Sequence, residues 1–396
     1  MPGSVWTAIW AGLAILTLAL AAHPFTSFPL SLRLLAHLRP RKIRVGVAPS
    51  RIAVCVCAYN EEAVIAARVE NLLAAQAAVP DLDILFYVDA ATDATARILQ
   101  GYGEKIRLVV SPERHGKTFG MNTLVAMTDA DIVVFSDANV TFAPGAIGRL
   151  VAVFADPEVG CACGHLMYVD PDTASSTAAT GSFYWRLEEH IKSMESATGS
   201  VMGADGSIFA LRRALHRPPP PHLIDDMFVS LSVLCGGARV VRVPDAVAYE
   251  ASVCRPAEEF RRKIRIACQA FNVNRALWKP LMHLPTIDRY KYLSHKLLRW
   301  LSIYFLALSA MFAMLAVLSA AGPLAAGVAL LMGLAGTAAI GAARRGPVGR
   351  LREVFAALLA TGIGVARSVG GETFQTWNPP ASARTLAGRI ADVARA

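Results

Sequence analysis

Charged residues are scarce in this chain of 396 residues. Asp, Glu, Lys and Arg together make up 17% of the sequence, whereas hydrophobic residues make up 54% and the mean hydropathy is +0.42. A soluble protein of this length usually carries more charge, so the composition indicates membrane segments. The length allows one large domain or two smaller ones, each with a sizeable core.

The sequence also lacks any Cys-x-x-Cys pair. Four of its seven cysteines form the pairs Cys55/Cys57 and Cys161/Cys163, whose members would share one face of a strand. No histidine spacing typical of a zinc site accompanies either pair, so we interpret them as small buried hydrophobic residues. Reduced thiols are typical of a cytosolic compartment.

No basic stripe interleaved with aromatic residues is present, although the net charge is +9. We therefore expect no nucleic-acid partner. The basic residues cluster instead at 39–44, 261–265, 291–299 and 343–352, and three of these clusters flank apolar runs. This pattern is typical of basic loops that stay in the cytoplasm, where anionic membrane lipids would attract them.

Long apolar runs lie at both ends of the chain. Residues 5–22 are uncharged and long enough to cross a bilayer. A cleaved signal peptide is the alternative, but basic residues follow the run and none precedes it, which favours an uncleaved anchor. Residues 300–320 and 321–343 predict two further spans. Residues 287–300 predict a helix in the plane of the membrane interface, whereas 354–366 could be interfacial, re-entrant or a short span.

These runs divide the chain into three predicted parts. They are an anchor with a basic segment at 1–44, a cytoplasmic domain at 45–286, and an interface helix with a membrane region at 287–396. The first half of the middle part alternates predicted strands at 51–58, 82–88, 106–110 and 131–135 with predicted helices at 61–76, 92–102 and 117–128. This order predicts an α/β fold with a mostly parallel central sheet covered on both faces.

Three of the predicted strands end in polar residues. The strand Asp131–Phe135 leads into Ser136-Asp137-Ala138-Asn139, another ends at Asp89, and the first leads into Asn60-Glu61. Ligands of open parallel sheets bind outside the carboxyl ends of the strands, so the three endings together predict a nucleotide site. Taken alone, each ending could be a simple turn, because turns favour Asp and Asn.

A phosphate-binding P-loop is excluded although Gly116-Lys117-Thr118 is present. The P-loop pattern demands glycine five residues before Gly116, where Ser111 stands.

The ordered set of motifs resembles the membrane-anchored bacterial family 2 glycosyltransferases, whose catalytic domain has the GT-A fold. The motifs are AYNEE, VDAATDAT, HGKTFGMN, SDAN, GADGSIFALRR, IDDMFVSL and FRRKIRIACQ, followed by the apolar runs. The resemblance implies transfer of a sugar, with inversion, from a nucleotide-diphosphate donor that is usually UDP-linked. The acceptor would be a growing polysaccharide or a lipid-linked glycan. The protein would be a multi-pass inner-membrane protein with a cytoplasmic catalytic domain.

The resemblance also assigns a metal and a donor site. Asp137 stands in the family's D-x-D motif and would bind Mg²⁺ or Mn²⁺ through hard oxygen ligands. Asn139 departs from the acidic form, and its weaker amide could contact a metal-bound water or the sugar. Asp89 would contact the base or ribose, and Asn60 and Glu61 would line the nucleoside pocket. Lys117 either reaches the donor phosphates or is a solvated surface lysine.

Asp225 and Asp226 match the acidic pair that supplies the family's catalytic base. Adjacent carboxylates repel each other, which raises the pKa of one of them and suits it to accepting a proton. Asp226 aligns with the base and Asp225 with a supporting residue. The alternative is that both merely stabilise a helix N-terminus.

Arg262 and Arg265 stand where processive synthases carry Q-x-x-R-W, and they could clamp the diphosphate. Ile266 replaces the tryptophan and no glutamine precedes the arginines, which places processive synthesis in question. Tyr184 and Trp185 either stack against the acceptor or lie in the core.

Two other functional classes compete with catalysis. A catalytically inactive scaffold of the same fold would tolerate loss of the motif carboxylates, yet Asp89, Asp137 and Asp226 are all present. A nucleotide-binding regulatory module would not need the second acidic pair.

Overall fold

A computed structural model describes residues 2–47, 51–79, 81–169, 176–251, 256–343 and 346–376. Eight strands in these ranges form one sheet, in the order β3-β2-β1-β4-β7-β6-β8-β5. Their bounds are β1 Ile52–Ala58, β2 Leu82–Asp89, β3 Arg107–Ser111, β4 Ile132–Asp137, β5 Val140–Phe142, β6 Val159–Val169, β7 Ile208–Arg212 and β8 Arg239–Ala251.

The first half of the sheet is parallel, as the alternation of strands and helices predicts. β1 pairs in parallel with β2 and with β4, and β2 pairs in parallel with β3. In the second half, β7 runs antiparallel to β4 and β6, whereas β6 and β8 are parallel. At the far edge β5 runs antiparallel to β8. The predicted α/β fold with a mostly parallel sheet is confirmed, and the antiparallel strands β5 and β7 are an addition that the sequence pattern did not reveal.

Helices cover both faces of the sheet. The helices of the middle part are α3 Ile65–Ala78, α4 Thr95–Gln100, α5 Lys117–Ala126, α6 Ala146–Ala152, α7 Ser176–Ala197, α8 Asp225–Cys235, α9 Pro256–Met282 and α10 Thr286–Tyr292. Side chains of α3 and α6 bury one face, and side chains of α5, α8 and α9 bury the other. Cys55, Cys161 and Cys163 are fully buried in the second core, in agreement with their interpretation as small hydrophobic residues.

Two helical segments of the described chain are long and apolar enough to cross a membrane. They are Val5–Phe25 and Thr286–Ala342. The first covers most of α1, Pro2–Ala22, and the second contains α11, Leu298–Ala342, which is interrupted at Gly322 directly before Pro323. Gly322 has φ +80°, a backbone conformation that glycine adopts without a steric penalty. The predicted boundary between two apolar runs therefore coincides with a break in the helix.

Helices α1 and α11 pack against each other in antiparallel fashion. The Trp10 and Phe312 rings stack with their centroids 5.9 Å apart, and Ser309 Oγ donates to the carbonyl oxygen of Ala14 at 2.9 Å. The hydroxyls of Thr7 and Ser319 are 2.8 Å apart. The carboxyl end of α1 and the start of α11 consequently lie at the same level.

Residues 287–300 are buried or half-buried, and the interface helix expected there stays a prediction. None of these residues is exposed, and Lys291, Tyr292 and His295 are fully buried. His295 Nδ1 lies 2.7 Å from Glu195 Oε1, and Lys291 Nζ lies 2.7 Å from Asp288 Oδ1. The basic residues of this segment therefore face acidic partners.

Helix α12, Gly346–Val369, contains the apolar residues 354–366 and packs against α9 and α11. Tyr304 Oη donates to the carbonyl oxygen of Gly362 at 2.7 Å. A Cβ atom at Gly364 would lie 2.5 Å from the carbonyl oxygen of Ile264, so glycine allows the two helices to touch. After α12 the chain turns back over α9, where Gln269 Nε2 donates to the carbonyl oxygen of Phe374 at 2.9 Å.

Candidate active site

The carboxyl ends of β1, β2 and β4 lie side by side at one rim of the sheet. Ala58 pairs with Val88, and Cys57 pairs with Asp137. The three polar strand endings that the sequence singled out are therefore neighbours in space, although they are separated by dozens of residues in the chain.

Asn60 and Glu61 begin the loop after β1 and hold it against the loop after β2. Asn60 has φ +53°, and its Oδ1 accepts a hydrogen bond from the backbone N–H of Thr92 at 2.8 Å. The backbone N–H of Glu61 donates to Thr95 Oγ1 at 2.8 Å. Asn60 therefore fixes the shape of the pocket wall, and its contact with a nucleoside remains a prediction.

Asp89 is buried and binds the main chain with both carboxylate oxygens. Oδ1 accepts from the backbone N–H of His115 at 2.7 Å, and Oδ2 accepts from that of Gly116 at 2.9 Å. Gly116 has φ +89°, and a Cβ atom there would lie 2.1 Å from the carbonyl oxygen of Gln375. Asp89 thus positions the loop that leads into α5, and its expected contact with the base or ribose stays a prediction.

Lys117 begins α5 and points into a cluster of three carboxylates. Its Nζ lies 2.8 Å from Asp137 Oδ1 and 3.4 Å from Asp225 Oδ2, and its side chain is only 14% exposed. A Cβ atom at Gly206 would lie 3.3 Å from that Nζ and 2.8 Å from Asp226 Oδ2, so Asp226 faces the same space. Lys117 is therefore no solvated surface lysine, and it joins the metal-ligand candidate to the candidate base.

The cluster raises the pKa values of two of its members, Lys117 and Asp226. Burial alone would lower the pKa of Lys117, but Asp137, Asp225 and Asp226 outweigh it and hold that pKa well above its ordinary value. Burial and the neighbouring Asp225 raise the pKa of Asp226 to about 7, against the opposing effect of Lys117. A carboxylate with a pKa near neutrality is suited to general-base catalysis.

Asp225 and Asp226 are the first two residues of α8. Asp226 Oδ1 accepts from the backbone N–H of Met227 at 2.6 Å, which satisfies one of the free amides at the helix start. Asp225 is buried and Asp226 is half-buried. The helix start accordingly explains where both residues sit, whereas the raised pKa of Asp226 is what distinguishes it as a base candidate.

Arg262 and Arg265 lie on α9 and face the same rim. Arg262 Nε donates to Glu259 Oε2 at 2.8 Å, and Arg265 Nη1 donates to Gln269 Oε1 at 3.0 Å. Burial and Arg262 lower the pKa of Arg265 to about 10, while Asp137 and Asp226 act to raise it. Arg265 therefore interacts electrostatically with Asp137 and Asp226.

Asn139 donates its amide to a residue that the sequence motifs did not indicate. Its Nδ2 lies 3.1 Å from Glu250 Oε1, and Ser207 Oγ lies 3.4 Å from Glu250 Oε2. Burial and Asp137 raise the pKa of Glu250 above its usual range. The sequence signal for Glu250 is a charged residue in the otherwise uncharged stretch AVAYEA at the end of β8.

Asp205, like Glu250, is a residue at the site for which the sequence patterns predict no role. It lies in the motif GADGSIFALRR. Both of its oxygens accept from Lys192 Nζ at 2.6 Å, and its charge contributes to raising the pKa of Asp226. Tyr184 and Trp185, the predicted acceptor-stacking residues, lie outside the residues whose side chains the structure describes.

Asp137 would hold a divalent cation only together with oxygen ligands from outside the chain. Carboxylate oxygens such as those of Asp137 suit Mg²⁺ and Mn²⁺. Within the described ranges, however, no three His, Cys, Asp or Glu side chains are arranged to hold a metal ion by themselves. An ion at Asp137 would therefore take further ligands from a donor diphosphate and from water.

The pKa of Asp226 predicts an acidic limb in the pH profile. A base must be deprotonated, so kcat/KM should fall about tenfold per pH unit below about pH 7 and level off above it. Asp225→Asn removes a charge that raises this pKa, so the limb should move to lower pH. A limb that stays in place in Asp225→Asn, measured with the donor below its KM, would contradict the assignment.

Comparison with known proteins agrees with this geometry. The model of the Glycosyl transferase family 2 matches residues 53–217, which span β1 to β7. An N-acetylglucosaminyltransferase of Rhizobium leguminosarum bv. viciae is 24% identical over 63% of this chain and 62% of its own length. Another, of Rhizobium sp. strain N33, is 26% identical over 50% of this chain and 46% of its own length. The chain thus spans less than two thirds of the length of these relatives.

A solved structure extends the likeness in fold to nearly the whole chain. A mannosyltransferase from Pyrobaculum calidifontis, determined in complex with GDP-Man and Mn²⁺, superposes with a TM-score of 0.67. The superposition covers 92% of this chain and 99% of that chain at 22% identity. This likeness supports the GT-A fold. Residues 53–217 of the chain thus match the Glycosyl transferase family 2, on a structure with the GT-A fold.

Proposed function

We propose that this protein is an inverting glycosyltransferase that moves a sugar from a nucleotide-diphosphate donor to a glycan or lipid-linked acceptor at a membrane. The observation that carries the proposal is the cluster of Lys117, Asp137, Asp225 and Asp226 at the carboxyl rim of the sheet. This site brings together Asp137 as a candidate metal ligand, Lys117 as a cation for the phosphates, and Asp226 as a carboxylate with a pKa of about 7.

The donor would lie along the rim, with its nucleoside between the loops after β1 and β2. Asn60 and Asp89 shape these walls through the main chain. Lys117, which contacts Asp137, and Arg265, which interacts electrostatically with Asp137 and Asp226, are the cations proposed to meet the diphosphate. A UDP-sugar is the proposed donor, because the family resemblance favours UDP. The N-acetylglucosaminyltransferase relatives are consistent with a hexosamine donor.

Asp137 is proposed to hold Mg²⁺ or Mn²⁺ together with the donor diphosphate, and Asn139 would assist through a water or the sugar. Such an ion neutralises charge that develops on the leaving diphosphate. The chain's own contribution is to place Asp137 at the end of a rigid buried strand and to keep the Asn139 amide oriented on Glu250.

Asp226 is proposed to remove the proton of the acceptor hydroxyl as that oxygen attacks the anomeric carbon. The new bond forms between the acceptor oxygen and the anomeric carbon while the bond to the diphosphate breaks. The nucleoside diphosphate leaves with the electron pair, and the proton ends on the Asp226 carboxylate. One displacement on the face opposite the leaving group gives inversion.

Lys117 should compete with a divalent cation for the empty cluster, because its ammonium sits 2.8 Å from Asp137. Lys117→Gln should therefore bind Mn²⁺ more tightly than wild type in the absence of nucleotide, while transfer falls. Lys105→Gln, which removes an exposed lysine, is the matched control and should change neither quantity. Calorimetry with Mn²⁺ alone measures the first effect. Weaker Mn²⁺ binding in Lys117→Gln would refute the competition.

The protein is proposed to be a multi-pass inner-membrane protein, anchored through α1 and α11, with residues 45–286 in the cytoplasm. The support is the length and hydropathy of the two segments and the basic residues at 39–44. Val47 is 95% exposed, so Val47→Cys tests the orientation. It should react with a membrane-impermeant thiol reagent only after the cells are opened. Labelling in intact cells would reverse the proposed topology.

An inactive scaffold and a regulatory nucleotide-binding module remain the alternatives from other classes. Purified membranes should be incubated with a panel of UDP-sugars and GDP-sugars, followed by measurement of nucleoside diphosphate release and of glycan size. We expect release and a glycan product with one UDP-sugar. Binding of a nucleotide without release would favour the regulatory module, and neither binding nor release would favour the scaffold.

A further inference from the structure

Helix α2, Ser27–Leu38, has two separate apolar faces. Phe28 and Leu32 are fully buried and pack with Ile191 and Met194 on α7. Leu30, Leu34 and Leu38 are 68%, 59% and 64% exposed. These three leucines, which we call the leucine stripe, recur every fourth residue and so share one side of the helix.

Helix α2, which carries the leucine stripe, begins close to the carboxyl end of α1 and to the start of α11. Residues 23–25 form a short 3-10 turn after α1, and Thr26 alone separates this turn from α2. His23 Nε2 lies 3.0 Å from Ser294 Oγ, just before the start of α11. Because α1 and α11 are antiparallel, α2 begins at the level where both of them meet the rest of the protein. If α1 spans a bilayer, α2 lies at the depth of the lipid headgroups.

The chain segment that carries the leucine stripe has charge of one sign, although Arg41 pairs with Glu158 at 2.7 Å. Residues 1–60 contain no Asp and no Glu. Arg33, His37 and Arg39 are exposed beside the stripe, and the basic run 39–44 follows. A helix with an apolar stripe and basic flanks is typical of segments that lie in the plane of an anionic membrane surface.

We propose that the leucine stripe of α2 inserts into an anionic lipid surface and thereby fixes the catalytic domain against the bilayer. The proposal rests on the membrane location proposed above. The opposite face of α2 packs on α7, and Lys192 on α7 holds Asp205 beside the acidic cluster. The lipid surface and the active site are accordingly connected through one helix.

The test uses the full chain in vesicles of phosphatidylcholine and phosphatidylglycerol. Leu30→Cys, Leu34→Cys and Leu38→Cys each receive an environment-sensitive fluorophore. Val110→Cys is the matched control, because Val110 is also an exposed apolar residue, 44% exposed, but lies on the edge strand β3. The unmodified chain gives the background from native cysteines. Quenching is measured with lipids that carry a doxyl group near the headgroup, and separately with aqueous iodide.

We expect the three stripe labels to lose most of their emission to the doxyl lipids and to resist iodide, whereas the Val110 label shows the reverse. Omission of phosphatidylglycerol should reduce the doxyl quenching. Labels that iodide reaches freely would overturn the proposal. Labels protected from iodide but not quenched by doxyl lipids would also overturn it, because a second copy or another protein would then cover the stripe. No sugar donor is needed, so this result is independent of glycosyl transfer.

Discussion

Asp226→Asn should lose about 10²–10⁴-fold in the rate of sugar transfer, which is the usual effect of removing a general base. Asparagine keeps the size of the side chain, and its carbonyl oxygen can still accept from the backbone N–H of Met227, which lies 2.6 Å away in wild type. The amide cannot take the acceptor proton. Binding of UDP should change little, because the proposed nucleoside walls are formed around Asn60 and Asp89. Transfer and UDP binding should be measured on the same membranes.

Two variants control this experiment. Asp225→Asn should lose less activity at neutral pH, because Asp225 only supports its neighbour and its removal lowers the pKa of Asp226. Asp129→Asn replaces a carboxylate whose side chain is 82% exposed and should behave as wild type. Near wild-type transfer by Asp226→Asn, or a loss of UDP binding as large as the loss of transfer, would show that Asp226 is not the base.

Asp137→Ala should abolish tight Mn²⁺ binding in the presence of UDP and reduce transfer by about 10²-fold or more. A metal ion that polarises a leaving group contributes several kcal/mol to a transition state, and each 1.36 kcal/mol corresponds to about tenfold in rate. Excess EDTA should have the same effect on wild type. The measurements are Mn²⁺ binding by calorimetry with UDP present and transfer with and without added metal.

Asn139→Ala is the matched control for Asp137→Ala. Asn139 already donates its amide to Glu250 at 3.1 Å, so we expect it to contribute less to metal binding than Asp137. The loss in Asn139→Ala should therefore be smaller. Full turnover in EDTA, or undiminished activity in Asp137→Ala, would remove the metal from the proposed function.

The half of the sheet that carries the site could be predicted because its signals are local. β1, β2, β3 and β4 are short apolar runs, each followed by polar or turn residues, and their helices lie between them in sequence. β5, β6, β7 and β8 depend on pairings between segments far apart, such as Val140 with Glu250. The spacing of apolar residues along the sequence does not reveal such pairings. Glu250 was missed for the same reason.

Composition alone does not distinguish a membrane-interface helix from a buried helix at residues 287–300. Basic and aromatic residues that alternate with leucine suit a membrane interface, but they suit burial equally well when acidic partners are available. Here Glu188 and Glu195 on α7 face His295 at 3.1 Å and 2.7 Å. These partners lie about a hundred residues earlier in the chain, so only the tertiary structure shows them. The helix with an exposed apolar stripe is α2.

The role of Asp89 illustrates the same limit within the site. The strand ending placed Asp89 at the correct rim, but the direction of its carboxylate depends on the loop His115–Gly116, to which it binds. Lys117 follows that loop directly, so Asp89 contributes to the position of the ammonium among the three carboxylates. Asp89, which its motif predicts to be a ligand, thus orders the main chain of the loop before Lys117.

The central claim is that transfer and nucleotide release are one event at the acidic cluster. Purified protein in vesicles with Mn²⁺ and a UDP-sugar labelled in the sugar allows UDP release and labelled glycan to be followed together. We predict equal amounts of UDP and transferred sugar, an inverted anomeric configuration in the product, and loss of both signals in Asp226→Asn. UDP release with free labelled sugar and no glycan, or a product that retains the donor's configuration, would contradict the account.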